Sequence, residues 1–231
     1  MYNIYFLIIA SFLAFSNPLI AQEESVEPFC GNLLIERKMI EENPELKEKF
    51  ETLDKEFNAF ADQFSMANKM TPDTVIIPLV FHIVHNNGPE NVSNQFLIDQ
   101  VAIMNEYFMA ANENLDDIIE DFEDIIGNPQ IIFRLAQYDP QGNCTSGITR
   151  TQSTATYNGD EAQDLGLNWP RNKYLNVYIV NLAVNGEPGV IGYSRPPSFV
   201  SDPSDADLDG IVLRYNFPNY FDGSVFAHEV A

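Results

Sequence analysis

Close to the C-terminal end of the sequence, His228 and Glu229 stand side by side in "GSVFAHEVA". In the helical pattern H-E-x-x-H, two histidines one turn apart share a face and hold a zinc ion. The glutamate between them serves as base for the water on that ion. Val230 and Ala231 occupy the two x positions, and the sequence stops where the second histidine would stand. A His-Glu pair alone carries little weight, because a chain this rich in glutamate produces one by chance.

Other constellations are weaker. His82 and His85 form H-x-x-H inside "VIIPLVFHIVH". On a strand, residues three apart point to opposite faces, so the pair reads as core or rim histidines rather than as joint ligands. Asp205 to Gly210, "DADLDG", resembles the opening of a calcium loop, but Asn216 stands at the twelfth position, where a bidentate glutamate is needed. It reads as an acidic turn. The carboxylates crowded between Asp116 and Asp124 read as a solvated helical edge, with calcium a secondary possibility. There is no G-x-S-x-G elbow, no P-loop and no dinucleotide fingerprint.

The elements that would position His228 and Glu229 are visible in the patterning. A charged helical segment over roughly 31–70 is punctuated by Asn43-Pro44, with Asn43 expected as an N-cap and Pro44 in the first turn. Leu46, Phe50, Leu53, Phe57, Phe60 and Phe64 form one narrow stripe, as on a helix that clamps onto the rest of the chain. "MTPDT" ends it. "VIIPLVFHIV" then reads as a strand buried on both faces, with Pro78 near its start or on an open side. Ser93 caps a helix whose apolar face is Leu97, Val101, Met104, Phe108 and Ala111. The runs "QIIFRLAQY", "GITRTQS", "YLNVYIVNL", "GVIGYS" and "GIVLRY" follow as strands. A mixed sheet with one backing helix results. "SVFAHEVA" starts a further helix capped at Gly223-Ser224.

The composition is rich enough in aliphatic and aromatic residues for a sizeable core within 231 residues. A net charge of -22 argues against nucleic acid and against anionic membrane surfaces as partners. "IYFLIIASFLAF" is a 12-residue apolar run, shorter than the ~20 residues a spanning helix needs. With the small Ala21 behind it, the run reads as a signal peptide over 1–21, which implies secretion without stable membrane insertion after cleavage. Two cysteines, Cys30 and Cys144, exclude a disulfide scaffold and leave either one disulfide or two unrelated thiols.

In their order, "PFCGNLLIERKMIEENPEL", "IPLVFHIVHNNGPENVSNQFLIDQVAIMNEYFMAAN", "IIFRLAQYDPQGNCTSGITR", "YLNVYIVNL", "GYSRPP" and "DGIVLRY" followed by "HEVA" resemble the pappalysin family of metzincin metalloproteases. The secreted bacterial members, cytophagalysin-like and ulilysin-like, are the nearest. The resemblance runs from about Cys30 to Ala231. It implies an α+β metzincin fold: a twisted, mixed five-stranded sheet with a backing helix and the start of the active-site helix. It divides the chain into a signal peptide (1–21), a helical pro-segment (22–73) and the N-terminal part of a catalytic domain (74–231).

By the same resemblance His228 is a zinc ligand and Glu229 the general base in hydrolysis of a protein or peptide substrate. Val190, Ile191, Gly192, Tyr193 and Ser194 form the edge strand that pairs with that substrate. In some members a pro-segment cysteine binds the zinc and keeps the zymogen latent, and Cys30 is the matching residue; the rivals are a Cys30–Cys144 disulfide and an idle thiol. Only one of the family's three histidine ligands is present, so the chain reads as an incomplete and inactive fragment of a protease precursor. The alternative is a non-catalytic secreted binding module.

Overall fold

The computed structural model describes residues 27–67, 74–123, 126–220 and 223–231, apart from the side chains of 62 and 64–67. The signal-peptide reading of 1–21 lies outside these residues, as does the Phe64 side chain of the helical stripe. Among the described residues, no helix is long and apolar enough to cross a membrane.

The strands fall on the apolar runs. They are β1 (Phe29–Cys30), β2 (Val75–His85), β3 (Ile131–Leu135), β4 (Ile148–Gln152), β5 (Leu175–Val180), β6 (Val190–Tyr193) and β7 (Ile211–Arg214). They form one sheet in the order β1-β6-β7-β5-β2-β3, with β4 also on β2. β3 pairs with Val75–Leu79 and β4 with Phe81–His85, so the two lie end to end along one flank of β2. The sheet is therefore five positions wide, with β1 added at one edge. All pairings are parallel except β6–β7. Pro78 precedes the first β5 pairing, Leu79↔Leu175, so its missing N–H falls where β2 has no β5 neighbour.

The helices are α1 (Asn32–Glu42), α2 (Leu46–Ala67), α3 (Asn94–Phe108), the short α4 (Glu120–Glu123) and α5 (Gly159–Gln163), and α6 (Val225–Val230). Helix α3 starts where Ser93 Oγ accepts from Phe96 N at 3.1 Å. It lays Leu97, Val101 and Met104 on one sheet face, against Leu79, Phe81, Ile83, Val177 and Ile179. Helix α6 shares that face through Val225, Phe226 and Ala227. The opposite face carries Val84, Tyr178, Val180, Tyr193 and Val212, covered by Ile35 of α1 and Ala162 of α5. Alternation along β5 explains the split: Val177 and Ile179 face one way, Tyr178 and Val180 the other.

Two capping expectations change. Asn43 closes α1, donating its N–H to Met39 O, and its carbonyl accepts from Leu46 N where α2 begins. Ser224 occupies the N-cap position of α6, but its side chain makes no capping bond and its carbonyl accepts from His228 N. Among the described side chains of helix α2, Phe50 is the apolar one that is buried. Phe50 stacks on Phe199 at 3.8 Å between centroids, whereas Phe57 and Phe60 are largely exposed.

Candidate active site

The site lies where the N-terminal segment meets the last helix. Helix α6 follows β7 and the turn at Phe217–Asn219, and Phe226 packs against Phe81 and Phe217. That anchorage fixes which way the next two residues face. His228 projects to the surface, while Glu229 is 4% exposed. Gly192 of β6 makes the approach possible. A Cβ there would meet Leu213 Cδ2 at 2.9 Å, Val212 O at 3.0 Å and Glu229 Cγ at 3.4 Å.

From the other side comes β1. Phe29 pairs with Val190 and Cys30 with Gly192, so β6 advances two residues while β1 advances one. Such a bulge re-aims a side chain. It sits where the Cys30 thiol turns to the site. Phe29 N and Gly31 N donate to Gly189 O and Gly192 O, each at 2.8 Å. Asn32 then extends the ladder with its side chain, its Oδ1 accepting from Ser194 N at 2.9 Å. The predicted edge strand Val190, Ile191, Gly192, Tyr193 and Ser194 is thus β6 plus one residue, with its free side taken by β1 and Asn32.

The result is a convergence of three donors. The ligand atoms of Cys30, His228 and Glu229 all lie within 4.8 Å of one another, in a cleft of 320 Å³ lined also by Phe29, Ile191, Gly192, Ser224 and Val225. Neither Glu229 oxygen has a hydrogen-bond partner of good geometry. Burial raises the Glu229 carboxyl above its ordinary range, and nearby Cys30, His228 and Ser194 pull it back only in part. Burial likewise pushes the Cys30 thiol up to about 11, opposed by Asn32 N–H and reinforced by Glu229. A buried carboxylate so weakly partnered, beside a soft sulfur donor and an imidazole, is costly unless a cation supplies the missing charge. Sulfur, nitrogen and oxygen donors suit zinc.

The other sequence candidates sit elsewhere. Cys30 and Cys144 are both free thiols, and Cys144 is exposed in a bridge with Tyr138. His82 and His85 do not converge. His82 Nε2 lies 3.0 Å from Asn176 Oδ1 and Nδ1 lies 2.9 Å from Thr149 Oγ1, whereas His85 Nδ1 accepts from Asn87 N. The Asp205–Gly210 stretch lies mostly in a 3-10 helix over Pro203–Leu208. Asp207 accepts from Asn168, and Asp209 pairs with Arg171 at 3.3 Å. Calcium finds no support there. Sequence reading missed Asn32, because its role depends on a residue 162 positions away.

No protein-family model and no curated protein matches the chain. Solved structures do. Mirolysin in complex with compound 9 is 31% identical over 69% of this chain and 62% of its own, with a TM-score of 0.59. Mature mirolysin of Tannerella forsythia in complex with a cleaved peptide is 32% identical over 62% of this chain and 54% of its own, with a TM-score of 0.52. A promirolysin variant of Tannerella forsythia, with one glutamate replaced by alanine, is 27% identical over 81% of this chain and 58% of its own, with a TM-score of 0.61. The chain spans less than two thirds of each. Mirolysin is a protease of the pappalysin type of metzincin, so the family resemblance and the metzincin-like fold expected from the sequence both hold.

Proposed function

We propose that this chain carries the first part of a secreted zinc endopeptidase precursor. The observation that carries the reading is the meeting of Cys30, His228 and Glu229 in one cleft, with the Glu229 oxygens buried and without a hydrogen-bond partner of good geometry. Likeness to mirolysin, one structure of which holds a cleaved peptide, supports it.

In this reading His228 binds the metal together with two histidines that the family motif places after Ala231. Zinc held there would supply the Lewis acidity needed to activate a water toward a peptide carbonyl. Glu229 Oε takes the proton that this water gives up and passes it to the leaving amine. Its buried setting suits the work, since a raised carboxyl both accepts and returns a proton more readily near neutral pH. β6 holds the substrate backbone with the hydrogen-bonding groups that β1 and Asn32 now occupy.

Residues 22–73 act as the pro-segment, with Cys30 as the latency ligand. The larger share of this chain matched by the promirolysin variant, 81% against 69% and 62% for the other two structures, supports this. Secretion rests on the apolar run before Ala21.

The test begins with the coding sequence past Ala231, expected to give His, then x-x-G-x-x-H. The extended protein should hydrolyse peptides, and chelation should abolish this. Activity that survives Glu229→Ala would overturn the assignment. Cys30→Ala should raise the activity of the uncleaved form; no change would remove Cys30 from the mechanism.

A further inference from the structure

The sheet face covered by α1 and α5 holds a charged cluster that the chemistry above does not use. Asp160, on α5, accepts two short hydrogen bonds at one oxygen, from Tyr193 OH at 2.7 Å and from Arg195 Nη2 at 2.6 Å. Arg195 also donates through Nη1 to Gln163 Oε1 at 2.7 Å and to Leu208 O at 3.4 Å. Its side chain is 4% exposed, and its guanidinium lies 5.2 Å from the centre of the Tyr193 ring. Tyr193 is fully buried.

Tyr193 and Arg195 flank Ser194, whose N–H is the last pairing group on the free side of the edge strand. Residues two apart on an extended chain point the same way, so both reach Asp160 while the intervening residue faces away. The β6–β7 register runs only Gly192↔Leu213 and Tyr193↔Val212. Beyond Tyr193 no ladder bond to β7 holds the strand, and the orientation of the Ser194 amide falls to these side chains together with Asn32, whose Oδ1 accepts from it.

Helix α5 is built to deliver Asp160. Asn158 caps it, its Oδ1 accepting from Asp160 N, and Gly159 N donates to Ala183 O. A Cβ on Gly159 would stand 2.6 Å from Ala183 O and 2.7 Å from Tyr193 OH, so only glycine lets α5 come this close. Arg195 Nε is left buried and unpaired.

We infer that Asp160 is a positioning residue which, acting through Tyr193 and Arg195, holds the C-terminal end of β6 and the Ser194 amide in register for a bound peptide strand. The inference rests on the reading of β6 as the substrate-pairing edge. Asp160 touches neither the metal ligands nor Glu229; Ser194, which it positions, does lie beside Glu229, so the hold on a peptide backbone should change more than the bond-breaking step.

The experiment compares Asp160→Ala, Asp160→Asn and Arg195→Lys in the full-length protein. Loss of a charge-assisted anchor should raise KM for an extended peptide about tenfold for Asp160→Ala, with kcat held within about twofold. Asp160→Asn, which keeps an acceptor for Tyr193, should fall between. A second arm needs no catalysis. β1 rests on the same edge, so in the Cys144→Ser background Asp160→Ala should speed labelling of the Cys30 thiol in the uncleaved chain by about tenfold. Unchanged KM and unchanged Cys30 labelling would overturn the inference, as would a fall in kcat with KM preserved. If the unsubstituted protein cleaves no peptide, the proposed function fails and the labelling arm alone decides. If Asp160→Ala does not fold, Asp160→Asn decides both arms.

Discussion

Two buried polar clusters in this molecule use the same side-chain types in opposite ways. In the middle of the sheet, His82 is 1% exposed and fully partnered. Asn176 Oδ1 also accepts from Trp169 N and its amide donates to Trp169 O, which fixes the orientation of the amide. His82 Nε2 must therefore donate; burial lowers the ring's pKa to about 4, so it is neutral near pH 7 and Nδ1, 2.9 Å from Thr149 Oγ1, is the bare nitrogen. At the edge of the sheet, Glu229 is as buried as a core residue but lacks hydrogen-bond partners of good geometry, with an exposed histidine and a thiol nearby. A satisfied polar cluster holds a fold together. Glu229 differs from the other buried polar groups without good partners in sharing its cleft with a thiol and an imidazole, and that combination is what the proposed function rests on.

The comparison can be broken in order of expected effect. His228→Ala in the full-length protein should cost at least about a thousandfold in peptide hydrolysis, as loss of a group that acts in concert with others does. Because His228 is exposed, its melting temperature without metal should hardly move. Kinetics and calorimetry on the same preparation check both halves.

His82→Leu should do the reverse. It leaves Asn176 and Thr149 without their partner inside the sheet, so about 2–4 kcal/mol of stability should go, read by denaturant unfolding. An unchanged midpoint would show that the cluster is not structural.

A smaller effect follows from titration. The folded pKa of His82, about 4, lies below its ordinary 6.5, so the fold selects the neutral ring. The stability this confers is present above pH 6.5 and is lost as pH falls through 4, by up to about 3 kcal/mol. His82→Gln should flatten that part of the stability profile. The smallest effect is expected for Asn32→Ala, which removes one hydrogen bond to Ser194 N and should weaken the hold of the N-terminal segment by about 1 kcal/mol. Faster labelling of Cys30 would report it.

How far the sequence revealed all this depends on the range of the interactions. The strands from β2 to β7 each fall within a run read as a strand, apolar in all but the polar, Thr-rich β4, and α3 coincides with a capped amphipathic pattern, because local periodicity reflects which face is buried. β1 has two residues, too few to show any period, and exists only because β6 offers an unpaired edge. The sharing of one β2 flank by β3 and β4 is a tertiary result that no local pattern encodes. In the site, His228 and Glu229 were legible as a motif and Cys30 by family resemblance. Asn32, Asp160 and Arg195 were not, since Asn32 bonds a residue 162 positions away and Arg195 meets Gln163 and Asp160 across 32 and 35 positions.

The most direct test of the central claim is a paired measurement on Glu229→Gln in the full-length protein: kcat/KM for a peptide, and unfolding free energy with the metal removed. If the buried carboxylate is kept for function, hydrolysis should drop by at least about a thousandfold while stability stays level or rises by about 1 kcal/mol, because a neutral amide is cheaper to bury. Retained hydrolysis, or a stability loss of several kcal/mol like that expected for His82→Leu, would contradict it.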